Sequence, residues 1–237
     1  MGLKRYYTAF NRYKRSKGFG IHSPFAFKFV LDVLRERSQY YSYEYIDSLR
    51  TQVKAHVSNQ WPHPRIISLK NAKLTFRIVN FYNPSHILQI GTSYGISSAC
   101  MLSVSSEIKL SLYEPNFQKY PVTDKVLEDY MPRINLFDDI EQCIASYRNS
   151  LRETDQPFIL VNDIKESEYP ELLEYLKEIC KTQGTIVMRN VSRSSVMRRL
   201  WFTCRDCSQT GMTFSNEKYS VITASTKLPH QNFFLWF

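Results

Sequence analysis

The chain has 237 residues, a net charge of +9 and only seven glycines, where average usage would give about sixteen or seventeen. This glycine content argues against collagen-like and flexible low-complexity classes, and a hydrophobic fraction of 43% is enough for a sizeable core. No run of about eighteen apolar residues occurs, so we expect no membrane-spanning helix. The length fits one domain with room for an appendage.

The positive charge is concentrated at the N-terminus, because residues 1–30 contain seven cations and the first acid is Asp32. The rest of the chain carries 24 basic against 22 acidic side chains. The cations of this arm are Lys4, Arg5, Arg12, Lys14, Arg15, Lys17 and Lys28. Five aromatic residues lie among them: Tyr6, Tyr7, Phe10, Tyr13 and Phe19. The arm is therefore either a solvated lead-in that packs on the domain or a binding segment for an anionic partner, such as nucleic acid or a lipid surface.

The N-terminus and the cysteines bear on location and metal binding. No apolar h-region follows the charges, and Tyr6 stands where a myristoylation site has Ser or Thr. Cys204 and Cys207 form a single Cys-x-x-Cys, without a second ligand pair at zinc spacing. We therefore expect a cytoplasmic protein without a metal site.

The first third of the chain has helical patterns. Ser23-Pro24 is a favourable N-cap and first helical residue, and apolar spacing continues to about Arg37. Further helices are predicted from about Tyr43 to Val57 and over 71–82, and Ile66-Ile67 is the one strand-like segment before residue 84. Residues 1–83 are thus predicted to form a basic arm and an N-terminal helical cap.

From Pro84 onward, short apolar runs alternate with helical patterns. Strands are predicted at His86–Ile90, Ile108–Tyr113, Ile134–Phe137, Phe158–Val161, Thr185–Met188, Met212–Ser215 and Tyr219–Ala224. Single helices between the first five strands indicate right-handed crossovers, whereas a short turn joins the last two. Residues 84–237 therefore predict an α/β, Rossmann-like, doubly wound and mostly parallel sheet that ends in an antiparallel hairpin.

Two of the seven glycines, Gly91 and Gly95, lie in one turn between the first strand and a helix. Such a turn brings backbone N–H groups close to a ligand. The same residues also read G-x-S-x-G, the nucleophile elbow of α/β-hydrolases, with Ser93 as nucleophile. That fold has its elbow after several strands, and His230 is the only histidine after Ser93. A third interpretation is a turn that only packs helix on strand.

From about His22 to its C-terminus, nine tenths of its length, the chain resembles class I S-adenosylmethionine-dependent methyltransferases. It is most similar to a bacterial group with a Gly-Ile-His-Ser-Pro-Phe segment, here Gly20–Phe25, and a Gly-Thr-Ser-x-Gly first motif. The resemblance implies S-adenosylmethionine as the cofactor and methyl transfer to an acceptor that the sequence does not identify.

The resemblance also implies a set of site residues. The Gly91–Gly95 loop would pass under the methionine part of the cofactor, Glu114 would accept hydrogen bonds from the ribose, and Asp138, or Asp139 beside it, would contact the adenine amine. The cofactor-binding set is Gln89, Gly91, Thr92, Ser93, Tyr94, Gly95, Glu114, Asp138 and Asn162. No catalytic residue is assigned, and Asp163 is either a general base or a loop cap.

Three departures from the family pattern support an alternative function. Gln89, Asn162 and Arg189 stand where the family has acids, and a neutral amide loses the charge assistance of a carboxylate. Metal-assisted methylation is not expected because the carboxylate ligands are missing. The alternative is an inactive relative that binds an anionic partner through its arm. A second basic cluster, either a recognition site for an acidic acceptor or a solvated helix face, comprises Arg189, Arg193, Arg198, Arg199 and Arg205.

Overall fold

The computed structural model describes residues 13–14, 16–59, 66–92, 94–119, 121–208 and 210–237. The helices are α1 (Pro24–Phe29), α2 (Ser42–Val57), α3 (Leu69–Tyr82), α4 (Ile96–Leu102), α5 (Val122–Leu127), α6 (Ile140–Ser150), α7 (Tyr169–Lys181) and α8 (Ser195–Cys207). The strands are β1 (His86–Ile90), β2 (Lys109–Tyr113), β3 (Ile134–Phe137), β4 (Phe158–Val161), β5 (Gly184–Arg189), β6 (Met212–Ser215), β7 (Tyr219–Ala224) and β8 (Gln231–Phe234). The chain divides into two compact units, 38–164 and 1–37 with 165–237.

The unit of residues 38–164 contains a parallel sheet in the order β3-β2-β1-β4. Every residue of β1 and β4 is buried, as expected for short apolar strands covered on both faces. Because the four strands are parallel, their carboxyl ends meet at one edge of the sheet. Gly91, Glu114, Asp138 and Asn162 each follow directly after one of these strands.

The unit of residues 1–37 and 165–237 has the strand order β5-β7-β6-β8. β7 is antiparallel to both β5 and β6, and β8 is parallel to β6. The aromatic ring of Phe29 in α1 stacks on that of Phe214 in β6 with centroids 4.3 Å apart. The Ser23 side chain caps α1 by accepting a hydrogen bond from Ala26 N (3.3 Å). The Gly20–Phe25 segment thus leads into a helix that is anchored on β6.

The structure confirms the predicted fold class: a Rossmann-like α/β fold with mostly parallel strands that ends in the β6–β7 hairpin. Apart from shifts of one or two residues at the ends of β2, β5 and α3, three details differ from the prediction. After α1 the backbone continues as a π-helical turn, Val30–Leu34, closed by the bond from Arg35 N to Val30 O. Ile66-Ile67 forms no strand, and the edge strand β8 was not predicted. The domain boundary between residues 83 and 84 stays a prediction.

Among the described residues, no helix has the length and apolar composition needed to cross a membrane.

Candidate functional site

The turn after β1 begins with Gly91, whose backbone is left-handed at φ +76°. Its N–H donates to Tyr113 O at 2.8 Å, which attaches the turn to the end of β2. Gly95 is also left-handed, and a Cβ there would stand 2.9 Å from Leu127 Cγ. Gly95 is therefore required by the close approach of α5 as well as by its backbone conformation, whereas a Cβ on Gly91 would meet only ordinary contacts.

Glu114, directly after β2, connects two backbone segments. Its carboxylate accepts hydrogen bonds from Thr92 N at 2.8 Å and from Asn116 N at 3.3 Å, one on each oxygen. The side chain is 8% exposed, so these bonds are largely shielded from water. A carboxylate is an acceptor for ligand hydroxyls as well as for backbone N–H groups.

A cavity of about 480 Å³ lies beside Glu114, bounded by the segments that follow β2 and β3. Asp138 lines it from the β3 side, and Phe117 and Lys119 line it from the β2 side. The neighbouring acid, Asp139, is the N-cap of α6 and accepts a hydrogen bond from Gln142 N at 2.8 Å. Of the two candidate acids after β3, Asp138 faces the cavity and Asp139 holds the helix.

Two amide side chains hold the Gly91 turn from within the sheet. The Gln89 Nε2 group donates to Gly91 O at 2.8 Å, and the Asn162 Nδ2 group donates to the same carbonyl oxygen. Both amides also donate to Ser97 Oγ, at 3.0 Å from Gln89 and 3.3 Å from Asn162. The Gln89 amide oxygen accepts a hydrogen bond from Ser98 Oγ (2.8 Å). These two residues stabilise the turn.

We expect Gln89→Leu to lower the free energy of unfolding by about 1–3 kcal/mol, the usual result of leaving buried polar partners unpaired. Gln89 is fully buried, and the leucine would remove the hydrogen bonds to Gly91, Ser97 and Ser98 while keeping a similar volume. Urea denaturation followed by circular dichroism measures the change. The exposed Gln118→Leu is the control, and an equal loss in both variants would contradict the role of the buried amide.

The other predicted site residues occupy different environments. Thr92 is 6% exposed, and its Oγ1 is 2.6 Å from Ser98 Oγ. Tyr94 is buried, and Ser93 lies outside the described residues. Asp163 follows β4 and accepts a hydrogen bond from Ile164 N at 3.1 Å, the geometry of a loop residue.

The predicted basic cluster divides between a strand end and the exposed side of α8. Arg189 is a buried residue at the end of β5. Arg199 forms an ion pair with Glu166 and lies over the Tyr169 ring at 4.1 Å. Arg205 pairs with its neighbour Asp206 at 2.7 Å. These two α8 arginines have surface partners, in agreement with a solvated helix face.

The Cys-x-x-Cys pair lies in the last turn of α8. Cys204 is buried, and its hydrogen bond with Cys180 together with burial raises the pKa of the Cys204 thiol well above its ordinary value. A protonated thiol is a poor nucleophile and a poor metal ligand. Within the part of the chain that the structure describes, no group of three or more His, Cys, Asp or Glu side chains is arranged to hold a metal ion.

Sequence reasoning missed Ser97 and Ser98, the serines that connect the turn to its two amides. A signal was available, because both serines lie in the first turn of the helix that follows the glycine motif. Hydroxyls at such positions often bond to nearby polar groups.

No protein-family model and no curated protein matches this chain. Solved structures do match. An O-methyltransferase from Bacillus cereus in complex with SAH shares 16% identity and a TM-score of 0.56, over 84% of this chain and 96% of that one. The O-methyltransferase TomG from Streptomyces achromogenes, in complex with SAM, shares 15% identity and a TM-score of 0.53, over 82% and 96%. A methyltransferase from Geobacter sulfurreducens shares 12% identity and a TM-score of 0.53, over 82% and 94%. These likenesses establish the fold.

Proposed function

We propose that the chain is a methyltransferase that uses S-adenosylmethionine and acts on an acceptor not yet identified. The observation that carries the proposal is the buried Glu114 carboxylate, which bonds to Thr92 N of the glycine turn and borders a cavity of about 480 Å³. Two solved structures of similar fold hold SAM or SAH, which supports the same cofactor class here.

The described residues fit the nucleoside half of the cofactor. Glu114 is a carboxylate acceptor for the ribose hydroxyls, and Asp138, across the same cavity, is an acceptor for the adenine amine. The methionine half would lie against the turn that begins at Gly91. In this assignment Gln89 and Asn162 stabilise the turn, whereas Thr92 and Glu114 border the ligand.

When bound, the cofactor supplies a methyl group already activated by the sulfonium charge. The residues of the chain then need to bind and orient the two reactants and to exclude water, which requires no strong acid or base. A general base is needed only if the acceptor must lose a proton, and we assign none.

Calorimetric titration with S-adenosylhomocysteine tests the proposal. We expect the unmodified chain to bind in the micromolar range and Glu114→Gln to bind at least tenfold more weakly, a loss of about 1.4 kcal/mol. Glutamine keeps one acceptor oxygen, for Thr92 N, but loses the negative charge and the acceptor for Asn116 N. The loss of affinity is therefore assigned to the ligand contact only where urea denaturation shows the variant to be folded. The control, Glu107→Gln, changes an exposed acid just before β2. The proposal would be refuted if millimolar S-adenosylhomocysteine gave no heat of binding. It would also be refuted if Glu107→Gln lost as much affinity as Glu114→Gln.

The second candidate is an inactive relative of this fold. It is favoured by one observation: Gln89 and Asn162 stand where the family has acids, and their amides donate to the turn and to Ser97. The same titration discriminates the two functions, because an inactive relative gives no heat. The hydrolase alternative gains no support, since the motif follows the first strand. Location in the cytoplasm stays a prediction.

A further inference from the structure

Three separate chain segments meet around a cavity of about 650 Å³ in the unit of residues 1–37 and 165–237. Tyr13 and Lys17 come from the end of the arm, Arg35 and Arg37 from the segment after the π-helical turn, and Trp236 from the C-terminus. We call these five residues the basic-aromatic surface. The cavity is open to solvent, and these five residues make up most of its eight-residue lining.

The charge of this surface is positive. Lys17, Arg35 and Arg37 face a single acid in the lining, Glu36. The Lys17 ammonium lies 4.2 Å from the centroid of the Tyr13 ring. A hydrogen bond from Lys17 and the charges of Lys17 and Arg35 lower the pKa of the Tyr13 phenol, as expected where cations stabilise an anion. A negatively charged ligand would be stabilised at this point for the same reason.

Aromatic rings at this surface are unusually open to solvent. Trp236 is 63% exposed and Tyr13 is 50% exposed. Large apolar rings are usually buried in the core. Planar rings beside cations are the combination with which proteins bind unpaired bases, because bases stack on the rings while cations contact the phosphates.

We propose that the basic-aromatic surface binds single-stranded nucleic acid, with a base stacked on Trp236 and phosphates held by Lys17, Arg35 and Arg37. An arginine guanidinium group can donate two parallel hydrogen bonds to the oxygens of one phosphate. A cavity of about 650 Å³ is large enough for a nucleotide. A nucleic acid fits better than a lipid surface because the cations and rings line a concave site. This binding is separate from the proposed methyl transfer and does not depend on it.

The sequence that leads into the surface has the same character. Residues 1–12 contain Lys4, Arg5 and Arg12 together with three aromatic residues. Cations along a chain segment add to the attraction for a polyanion, and this attraction falls with salt concentration.

Fluorescence anisotropy with a labelled 12-nucleotide oligouridylate, and with its DNA counterpart, tests the proposal on the full chain. We expect Lys17→Gln/Arg35→Gln/Arg37→Gln to weaken binding at least tenfold in about 100 mM salt. Loss of three phosphate contacts should also reduce the slope of log affinity against log salt by about 2. The matched control, Lys70→Gln/Lys125→Gln/Lys218→Gln, removes the same charge from exposed positions elsewhere and should change affinity less than about twofold.

A second pair of variants tests stacking without a change of charge. Trp236→Ala should weaken binding about tenfold and Trp236→Phe should largely restore it, because phenylalanine keeps a ring on which a base can stack. Trp236 is mainly exposed, so both variants should fold. The proposal is wrong if neither oligonucleotide binds at about 100 µM protein, or if the control triple variant loses as much affinity. It is also wrong if vesicles containing phosphatidylserine bind the chain while the oligonucleotides do not.

Discussion

Replacing Gly211 with alanine is expected to lower the free energy of unfolding by about 2–5 kcal/mol, the sum of a left-handed backbone and a steric clash. Gly211 has φ +98°, and a Cβ there would stand 2.1 Å from Thr223 O and 3.0 Å from Ala224 Cα. Both contacts are with backbone atoms of the β7 region, which cannot move aside as a flexible side chain does. The glycine also holds the segment that leads into β8, since its N–H donates to Leu228 O and its carbonyl accepts from Gln231 N.

Gly20→Ala is the matched control for this substitution. Gly20 has a similar left-handed backbone, at φ +74°, but no atom of the described residues lies within 4 Å of the place a Cβ would take. The control therefore isolates the cost of the backbone conformation, about 1–2 kcal/mol. Urea denaturation of both variants measures the difference, and equal losses would contradict a steric role for Gly211.

Replacing Phe29 with alanine is expected to lower the free energy of unfolding by about 3–5 kcal/mol, the usual loss for a fully buried aromatic residue. The Phe29 ring is completely buried and stacks on Phe214, which in turn stacks on Phe233 at 5.2 Å between centroids. These rings connect α1 to β6 and β8. Removing the first ring leaves a cavity between the helix and β6, so the helix should become a site of early proteolysis as well.

The control for Phe29 lies two residues earlier in the same helix. Phe27 is 43% exposed, and Phe27→Ala should cost about 1 kcal/mol or less because less apolar surface is lost from the interior. Denaturation midpoints and limited proteolysis of the two variants give independent measurements. A loss of unfolding free energy in Phe29→Ala that is small, or equal to the loss in Phe27→Ala, would disprove the anchoring of α1 through Phe29.

Much of the fold was predictable because its strands are short apolar runs with clear ends. The predicted bounds of β1, β3, β4, β6 and β7 agree with the structure. Strand β8 was not predicted because Gln231–Phe234 has little apolar alternation and follows Pro229-His230. Its formation depends on parallel pairing with β6, which is a non-local interaction. The π-helical turn after α1 likewise has no sequence pattern that distinguishes it from a regular helix.

The candidate site was predictable where its signals are local. A glycine after β1 and an acid after β2 both follow strand ends, and Gly91 and Glu114 lie where this pattern indicates. The shared hydrogen bonds of Gln89 and Asn162 to Gly91 O were not predictable, since these side chains come from β1 and the end of β4. The separate roles of Asp138 and Asp139 could have been predicted from the sequence, because an Asp directly before a helix, as Asp139 is, is a favoured N-cap.

The side chains that bond to Gly91 O determine how the turn responds to pH. Gln89, Asn162 and Ser97 bond to the turn and to one another through amides and a hydroxyl, groups that neither gain nor lose a proton between about pH 3 and pH 10. A carboxylate at either amide position would be able to donate to the Gly91 carbonyl only in its protonated form. With amides in place of acids, these hydrogen bonds to the turn do not depend on pH over the whole physiological range.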